Sequence, residues 1–293
     1  MVDGRHNYFK EDTYVWLMRI NTNVSALRAQ REMSEHTKSI ENASGKISSG
    51  SRVRNASDDA ASLSIGNKQK SSIRSQHQAI RNANDAIGQF QTAEGAMNEV
   101  GSMLIRLKEL SLQASTGTLQ DSDRGMLNNE YMQTRREIER VARSTNFMGT
   151  DLLQDKSGKP RDFMIGINDN DNSRISFSGA DIAITEFNLG LVDSSIVNAE
   201  EARINLGHID QAIETLSSKR AKAGAYQNRI QTAINNLETT NINETSAMSR
   251  IMDADMAYES SEKIRSEGKL NAASSVLAQS SQFSAMALKL LQG

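Results

Sequence analysis

Stripes of apolar residues at alternating three- and four-residue spacing run through both ends of this chain, over residues 18–150 and 200–293. Only a helix returns side chains to one face at that spacing, so the chain is bound to fold as long helices. Ala26, Met33, Ile40 and Ile47 recur at heptad spacing near the first end, with Ala29, His36, Ala43 and Gly50 three places after each. Such a seam of small residues lets another backbone approach closely. In the second block Ile209, Ile213, Leu216, Arg220, Ala223, Gln227, Ile230, Ile234, Leu237, Asn241, Glu244, Met248 and Ile251 keep the same rhythm. Its polar members, Arg220, Gln227, Asn241 and Glu244, are the kind that set register at a cost in stability. Leu270, Leu277 and Leu291 then form one line near the end, and Val276, Phe283 and Leu290 the next. An apolar face so near a chain end needs a partner. The seam from Ala26 to Ile47 is its natural complement, and further copies of the chain are expected to cover what that pair leaves bare. The expected fold is therefore mainly α: an elongated antiparallel helical bundle or coiled coil, with a small β-hairpin region in the middle of the chain.

Composition agrees. Among 293 residues there is one proline, and aromatics make up 4%, which favours elongated helices over a compact mixed body. Thirty-four basic side chains nearly balance thirty-six acidic ones, giving no reason to expect nucleic acid or an anionic membrane as partner. No apolar run approaches the ~20 residues that span a bilayer, so membrane insertion is not expected. Absence of cysteine removes disulfides, thiolate metal sites and thiol nucleophiles together. Residues 1–17 mix charges with Tyr8, Phe9, Tyr14 and Trp16 and form no secretory h-region. The abrupt change at Met18 marks residues 1–17 as an atypical extension, with Met18 the expected start.

Along the chain, the spacing predicts a first helix ending near Gly50 and a polar turn over Ser51–Asp59. Asp58 and Asp59 are placed to cap the next helix, and Arg52 and Arg54 to reach carboxylates on a neighbour. That second helix runs to about Ala114, with Ile73, Ile80 and Ile87 on one line and Ala79, Ala86, Ala93, Val100 and Leu107 on another. Gly117 stops it, and Asp121 or Ser122 caps a third helix that carries Leu127, Tyr131, Thr134, Ile138 and Val141. Phe163–Ile167 and Arg174–Ser178 flank a turn-prone Asn/Asp run and predict one hairpin, which must lean on helices because two strands cannot stand alone. Six segments result: 1–17, the extension; 18–58, an N-terminal assembly segment; 59–150, rod; 151–198, hairpin and loop; 199–252, rod; and 253–293, a C-terminal assembly segment. The middle reads as the one dispensable stretch.

Signals for chemistry are weak. His6, His36, His77 and His208 lack metal-ligand spacing, and the Asp121 and Asp169 runs lack the glycine and glutamate that a calcium loop needs. Lys219, Arg220 and Lys222 share a mixed-charge helix with Glu214. No phosphate loop or catalytic triad stands out, so no enzyme activity and no cofactor or metal site is expected.

Several motifs do carry a resemblance: Met18-Arg-Ile-Asn-Thr-Asn23, the turn Ser48-Ser-Gly-Ser-Arg-Val-Arg-Asn-Ala-Ser-Asp-Asp-Ala-Ala61, Arg81-Asn-Ala-Asn84, Leu107-Lys-Glu-Leu110, Gln113-Ala-Ser-Thr-Gly-Thr118 and Thr145-Asn-Phe-Met-Gly149. With Gly224-Ala-Tyr-Gln-Asn-Arg229 and Ser249-Arg-Ile-Met-Asp-Ala-Asp255, they resemble the N- and C-terminal regions of the bacterial flagellins. The resemblance implies a secreted subunit of the flagellar filament. It would be exported unfolded through the flagellar type III pathway and self-assemble for swimming, here without a large variable outer domain. Its assembly residues would include Ala26, Met33, Ile40, Ile47, Leu270, Leu277, Phe283, Leu290 and Leu291. Further implied partners are an export chaperone, cap and junction proteins, and a host innate immune receptor touching Arg106, Leu110 and Glu130. A hook–filament junction protein shares the terminal architecture. A cytosolic signalling coiled-coil rod is the alternative from a different class.

Overall fold

The computed structural model describes residues 22–154, 160–192 and 194–292, with side chains left out of the description at 283, 284 and 287–292. Five helices account for most of it: α1 (Val24–Ser49), α2 (Ala60–Ala114), α3 (Asp121–Ser144), α4 (Ala199–Met252) and α5 (Met256–Gln292). Between α3 and α4 lie two antiparallel pairs, β1 (Asn146–Phe147) with β2 (Thr150–Asp151) and β3 (Pro160–Met164) with β4 (Arg174–Ser178). No helix among the described residues is long and apolar enough to cross a membrane. The chain divides into two compact units: a terminal unit of residues 1–66 and 249–293, and a central unit of residues 67–248.

In the central unit α2 presents one continuous inward line: Gln76, Ala79, Ala83, Ala86, Phe90, Ala93, Met97, Val100, Leu104, Leu107, Ser111 and Ala114 are all buried. The steps are three and four throughout, the packing rhythm of a coiled coil. From α4, Ala202, Ile209, Ala212, Leu216, Ala223, Ile230 and Ile234 meet it. The pair is antiparallel: Lys108 bonds Asp210 at 2.5 Å, Gln227 bonds Glu94 at 3.2 Å, and Asn241 bonds Gln76 at 3.0 Å. Two of the polar seam positions, Gln227 and Asn241, therefore hold the register. Arg220 does not join them. It is exposed, while Lys219 and Lys222 beside it reach the Ala180 carbonyl and the Asp181 carboxylate.

Helix α3 turns back along α2, burying Tyr131, Ile138 and Ala142. It starts at Asp121 after Gln120, which makes no side-chain cap, so neither Asp121 nor Ser122 plays the expected capping role. The turn is closed instead by Arg124, whose buried guanidinium donates to the carbonyls of Ala114 (3.0 Å) and Thr116 (2.8 Å) and to Asp121 (2.8 Å). One cation thereby satisfies the last carbonyl of α2 and that of Thr116 just beyond it.

The expected hairpin exists, but β3 begins at Pro160 and ends at Met164, in register from Pro160 opposite Ser178 to Met164 opposite Arg174. Proline is tolerated at such a first strand position. An aromatic cluster pins it to the helices. Phe163 and Phe177 stack with centroids 5.2 Å apart, Phe90 and Tyr226 stack at 5.6 Å, and Phe90 meets Phe177 edge-on at 5.2 Å. The β1–β2 hairpin was not expected. Nor is the middle dispensable: Leu152, Leu153, Ile182, Ile184, Leu189, Leu191 and Ile196 all enter the core. Their irregular backbone is tied down from α3, where Arg135 donates to the carbonyls of Leu191, Val192 and Ser194 and Asn128 accepts from the Ile196 N–H.

Candidate assembly surface

The terminal unit is built differently. Helix α1 starts at Asn23, whose side chain accepts the Ala26 N–H at 3.0 Å, and stops at Gly50, which takes the left-handed conformation (φ 67°) that glycine adopts without strain. It packs against α5 in antiparallel fashion, as contacts near its two ends show. At the start, Asn23 Nδ2 donates to the Ser280 carbonyl (2.9 Å) and the Ser25 and Ser280 hydroxyls lie 3.0 Å apart. At the other end Lys46 pairs with the buried Glu259 at 3.0 Å.

Between those clasps the seam is narrow. Ala29, Ala43, Glu259, Ser266, Ala273 and Ser280 are buried, whereas Ala26, Met33, His36, Ile40, Ile47, Leu270 and Leu277 are half-buried. Six of the expected assembly residues thus lie along the seam between α1 and α5, each leaving part of its surface outward. The side chains of Phe283, Leu290 and Leu291 lie outside the described residues, as do residues 1–21 with the expected start at Met18 and His6. Exposed to a greater degree are Val24, Leu27, Met256, Tyr258, Ile264, Val276 and Met286. Apart from Val276, sequence reasoning missed them because they fall off the heptad lines. Their signal was apolar character at positions that a two-helix seam leaves over.

The polar turn between α1 and α2 is anchored to the end of α4. Arg52 N–H donates to the Met252 carbonyl (2.7 Å) and Ala254 N–H to the Gly50 carbonyl (2.9 Å), around a bridge between Ser51 and Asp253. The Arg52 guanidinium does not reach a carboxylate; it caps the Ile251 carbonyl (3.2 and 2.6 Å), and Arg54 lies over Gly45. Asp59 caps α2 by accepting from the Ser62 N–H and hydroxyl (3.0 and 2.5 Å), and those bonds lower its pKa. Asp58 faces backward, accepting the Asn55 and Arg54 N–H groups (3.0 and 3.1 Å), which likewise lowers its pKa. Only one of the two expected carboxylates is therefore a helix cap.

In the central unit Arg106 donates to Glu130 (2.9 and 2.7 Å) and to Glu109 (3.0 Å) at the surface. Leu110, expected beside them, is 1% exposed and turned into the core. Of that trio only Arg106 and Glu130 are presented outward, because Leu110 neighbours the inward line of α2.

An open cleft of about 970 Å³ is lined by Glu139, Arg143, Gln154, Phe187, Thr215 and Lys219, among others. Its charges are already engaged. Glu139 binds Arg143 (2.7 Å) and accepts the Glu186 N–H (3.1 Å), while Lys219, its pKa lowered by burial, donates to the Ala180 carbonyl (2.8 Å). His36 is half-buried and His77 and His208 are exposed; among the described residues no group of three acidic, histidine or cysteine side chains could hold a metal ion. The geometry offers packing faces.

Comparison with known proteins bears on those faces. Residues 20–157 match the bacterial flagellin N-terminal helical region and residues 206–291 the bacterial flagellin C-terminal helical region. A flagellin of Halalkalibacterium halodurans is 36% identical over 275 residues, covering 94% of this chain and all of that protein. The flagellar filament 30.7 kDa core protein of Treponema maltophilum is 32% identical over 256 residues, 83% of this chain and 88% of its own. A solved structure assigned to a flagellar hook-associated protein of Vibrio parahaemolyticus superposes on 67% of this chain and all of its own with a TM-score of 0.56; at 13% identity that is a likeness of fold alone. Both helical regions, in order and joined by hairpins in place of a large outer domain, place this chain in the bacterial flagellin family.

Proposed function

We propose that this chain polymerises through its α1–α5 pair. Flagellins are the structural subunits of the extracellular flagellar filament, so self-assembly comes with the family. The observation that carries the finer reading is the contrast on that pair. Its buried seam is alanine, serine and one ion pair, while Val24, Leu27, Tyr258, Ile264 and Val276 stay bare. Each apolar side chain moved out of water contributes about 1.5–3 kcal/mol, so neighbouring copies gain by covering them. Contacts joining unlike faces do not close on themselves and propagate helically. Ala26, Met33, Ile40, Ile47, Leu270, Leu277, Phe283, Leu290 and Leu291 would line that contact together with the bare set. The subunit carries no chemistry of its own.

A seam so thin suits passage through the flagellar type III channel unfolded, and an export chaperone, the cap and the junction proteins would each engage these same terminal helices. For a host innate immune receptor, the outward pair Arg106 and Glu130 is the contact, with Leu110 supporting α2 from within. Deleting residues 18–47 or 270–293 should leave a soluble helical monomer that never pellets as filaments; truncated chains that polymerise normally would sink the proposal. Replacing Arg106 and Glu130 by alanine should abolish signalling in a receptor reporter assay, and undiminished signalling refutes that contact.

A further inference from the structure

Lys219 and Lys222 stand three places apart on α4, which sets their amines side by side on one face. Their partners differ. Lys222 ion-pairs with the Asp181 carboxylate at 2.9 Å, whereas Lys219 donates to the neutral Ala180 carbonyl at 2.8 Å. Asp181 is fixed on Lys222. It also accepts the Tyr226 hydroxyl at 3.0 Å, and Tyr226 is itself stacked on Phe90. The turn that carries it, Gly179–Asp181, is held by the Ala183 N–H on the Gly179 carbonyl (2.9 Å) and by the fully buried Ile182.

The other carboxylates at hand are taken too. Lys219 lines the open cleft together with Glu139 and Glu186, but Glu139 pairs with Arg143 (2.7 Å) and Glu186 lies 3.6 Å from Arg135. Among the described residues Lys219 therefore pairs with no carboxylate, and it has a second cation beside it. Burial first, and then the Lys222 charge, push its pKa below the ordinary lysine value against an opposite pull from Asp181, whereas the bond to Asp181 raises that of Lys222. A lysine that is desolvated or set next to another cation gives up its proton more readily, and the neutral amine is a nucleophile. The space in front of it suits a small molecule: the cleft holds about 970 Å³, and the Phe187 ring stands 81% exposed at its edge, with Thr185, Thr215 and Gln154 as hydrogen-bonding groups.

We propose that Lys219 is a covalent modification site for small aromatic aldehydes, which enter this cleft against Phe187 and condense with the Lys219 amine. The nitrogen lone pair adds to the carbonyl carbon, and a proton passes from nitrogen to the carbonyl oxygen. Loss of that oxygen as water leaves an imine, with no change of oxidation state and no further reactant. One aldehyde is taken up per subunit and nothing is turned over. Every residue involved belongs to the central unit, so the site does not depend on polymerisation through α1 and α5.

Benzaldehyde with cyanoborohydride, which reduces the imine to a stable secondary amine, tests this on the full chain in solution. Peptide mapping after brief labelling at pH 7 should find Lys219 modified at least about fivefold more than Lys222 and than the exposed Lys68 and Lys70. Phe187→Ala, a change at an exposed side chain, should lower labelling of Lys219 by about threefold or more. Lys222→Met removes the neighbouring cation and frees Asp181. The pH at which labelling of Lys219 reaches half its maximum, read against Lys68 in the same sample, should then move up, a shift that lost packing would not produce. Labelling of Lys219 no greater than that of Lys68, unchanged labelling in Phe187→Ala, or a pH profile that Lys222→Met leaves in place would each overturn the proposal.

Discussion

The terminal and central units use the same heptad rhythm to different ends. In the central unit the inward positions hold Phe90, Met97, Leu104, Leu107, Tyr131, Ile209 and Leu216, all nearly or fully buried. In the terminal unit the only buried apolar residues among those described are Ala29, Ala43, Val53 and Ala273. Spacing alone makes both regions helical, but the volume on the inward positions decides which holds itself together. Large side chains contribute about 1.5–3 kcal/mol each on burial, and alanine far less. The central unit is thus a folded body, and the terminal unit leaves much of its apolar surface uncovered within the subunit.

That comparison can be broken in several ways. Phe90→Ala, which removes the centre of the aromatic cluster, should cost about 3–5 kcal/mol in denaturant unfolding of the monomer. Among its described residues the terminal unit offers no buried apolar side chain larger than Val53 at which to match that loss. Hydrogen exchange on the monomer should show amides of α1 and α5 opening at a free energy lower by about 3 kcal/mol or more than those of α2 around Leu104. Equal protection in both would mean that the alanine seam is stable by itself, and the contrast would be wrong.

The turns sharpen the contrast further. Arg124 is buried on the Ala114 and Thr116 carbonyls, whereas Arg52 is exposed on the Ile251 carbonyl. Arg124→Ala should cost about 1.5–3 kcal/mol and Arg52→Ala under about 1 kcal/mol, read from paired urea melts. The smallest effect concerns Asp181. Its carboxylate accepts from Lys222 (2.9 Å) and from the Tyr226 hydroxyl (3.0 Å), and these bonds hold its pKa below the usual 3.8. A depressed folded-state pKa gives stability that is present above the unfolded value and fades as pH falls through the folded one. Asp181→Asn should therefore melt lower than the parent at pH 7, by on the order of 1 kcal/mol, and the gap should begin to narrow as pH falls below about 4. A gap that does not narrow at all on further acidification would mean the loss is one of packing.

Much of the helical framework was legible. The reading placed the ends of α2 within a residue of where they fall, the apolar rhythm followed α4 to within a residue of its end, and Gly50 ended α1 as expected, because caps and apolar spacing are local properties. Asn241 and Gln227 were also legible as register-setting interruptions. The β1–β2 hairpin was hidden for a specific reason: Met148 stands where Asn or Gly would have announced the turn. Residues 182–196 were hidden for another. Their apolar side chains follow no period, since an irregular backbone can send successive residues such as Ile182 and Ile184 into the same core. At the candidate surface the seam residues could be read directly. The bare residues Leu27 and Ile264 could not, because a heptad pattern says which positions pair and is silent on which remain.

By itself the sequence determined that this chain would be helical at both ends, that its ends would pair, and that it carried the wording of the flagellins. Those properties follow from spacing and from short motifs, which any stretch of chain displays without reference to the rest. Only the tertiary structure decided which apolar residues are buried within the subunit and which stay outside its core. Leu110 disappears into the core, Ile264 stays out, and Met148 is held outward against its own turn preference. Burial is a property of what arrives from elsewhere in the chain, and no local pattern can supply it.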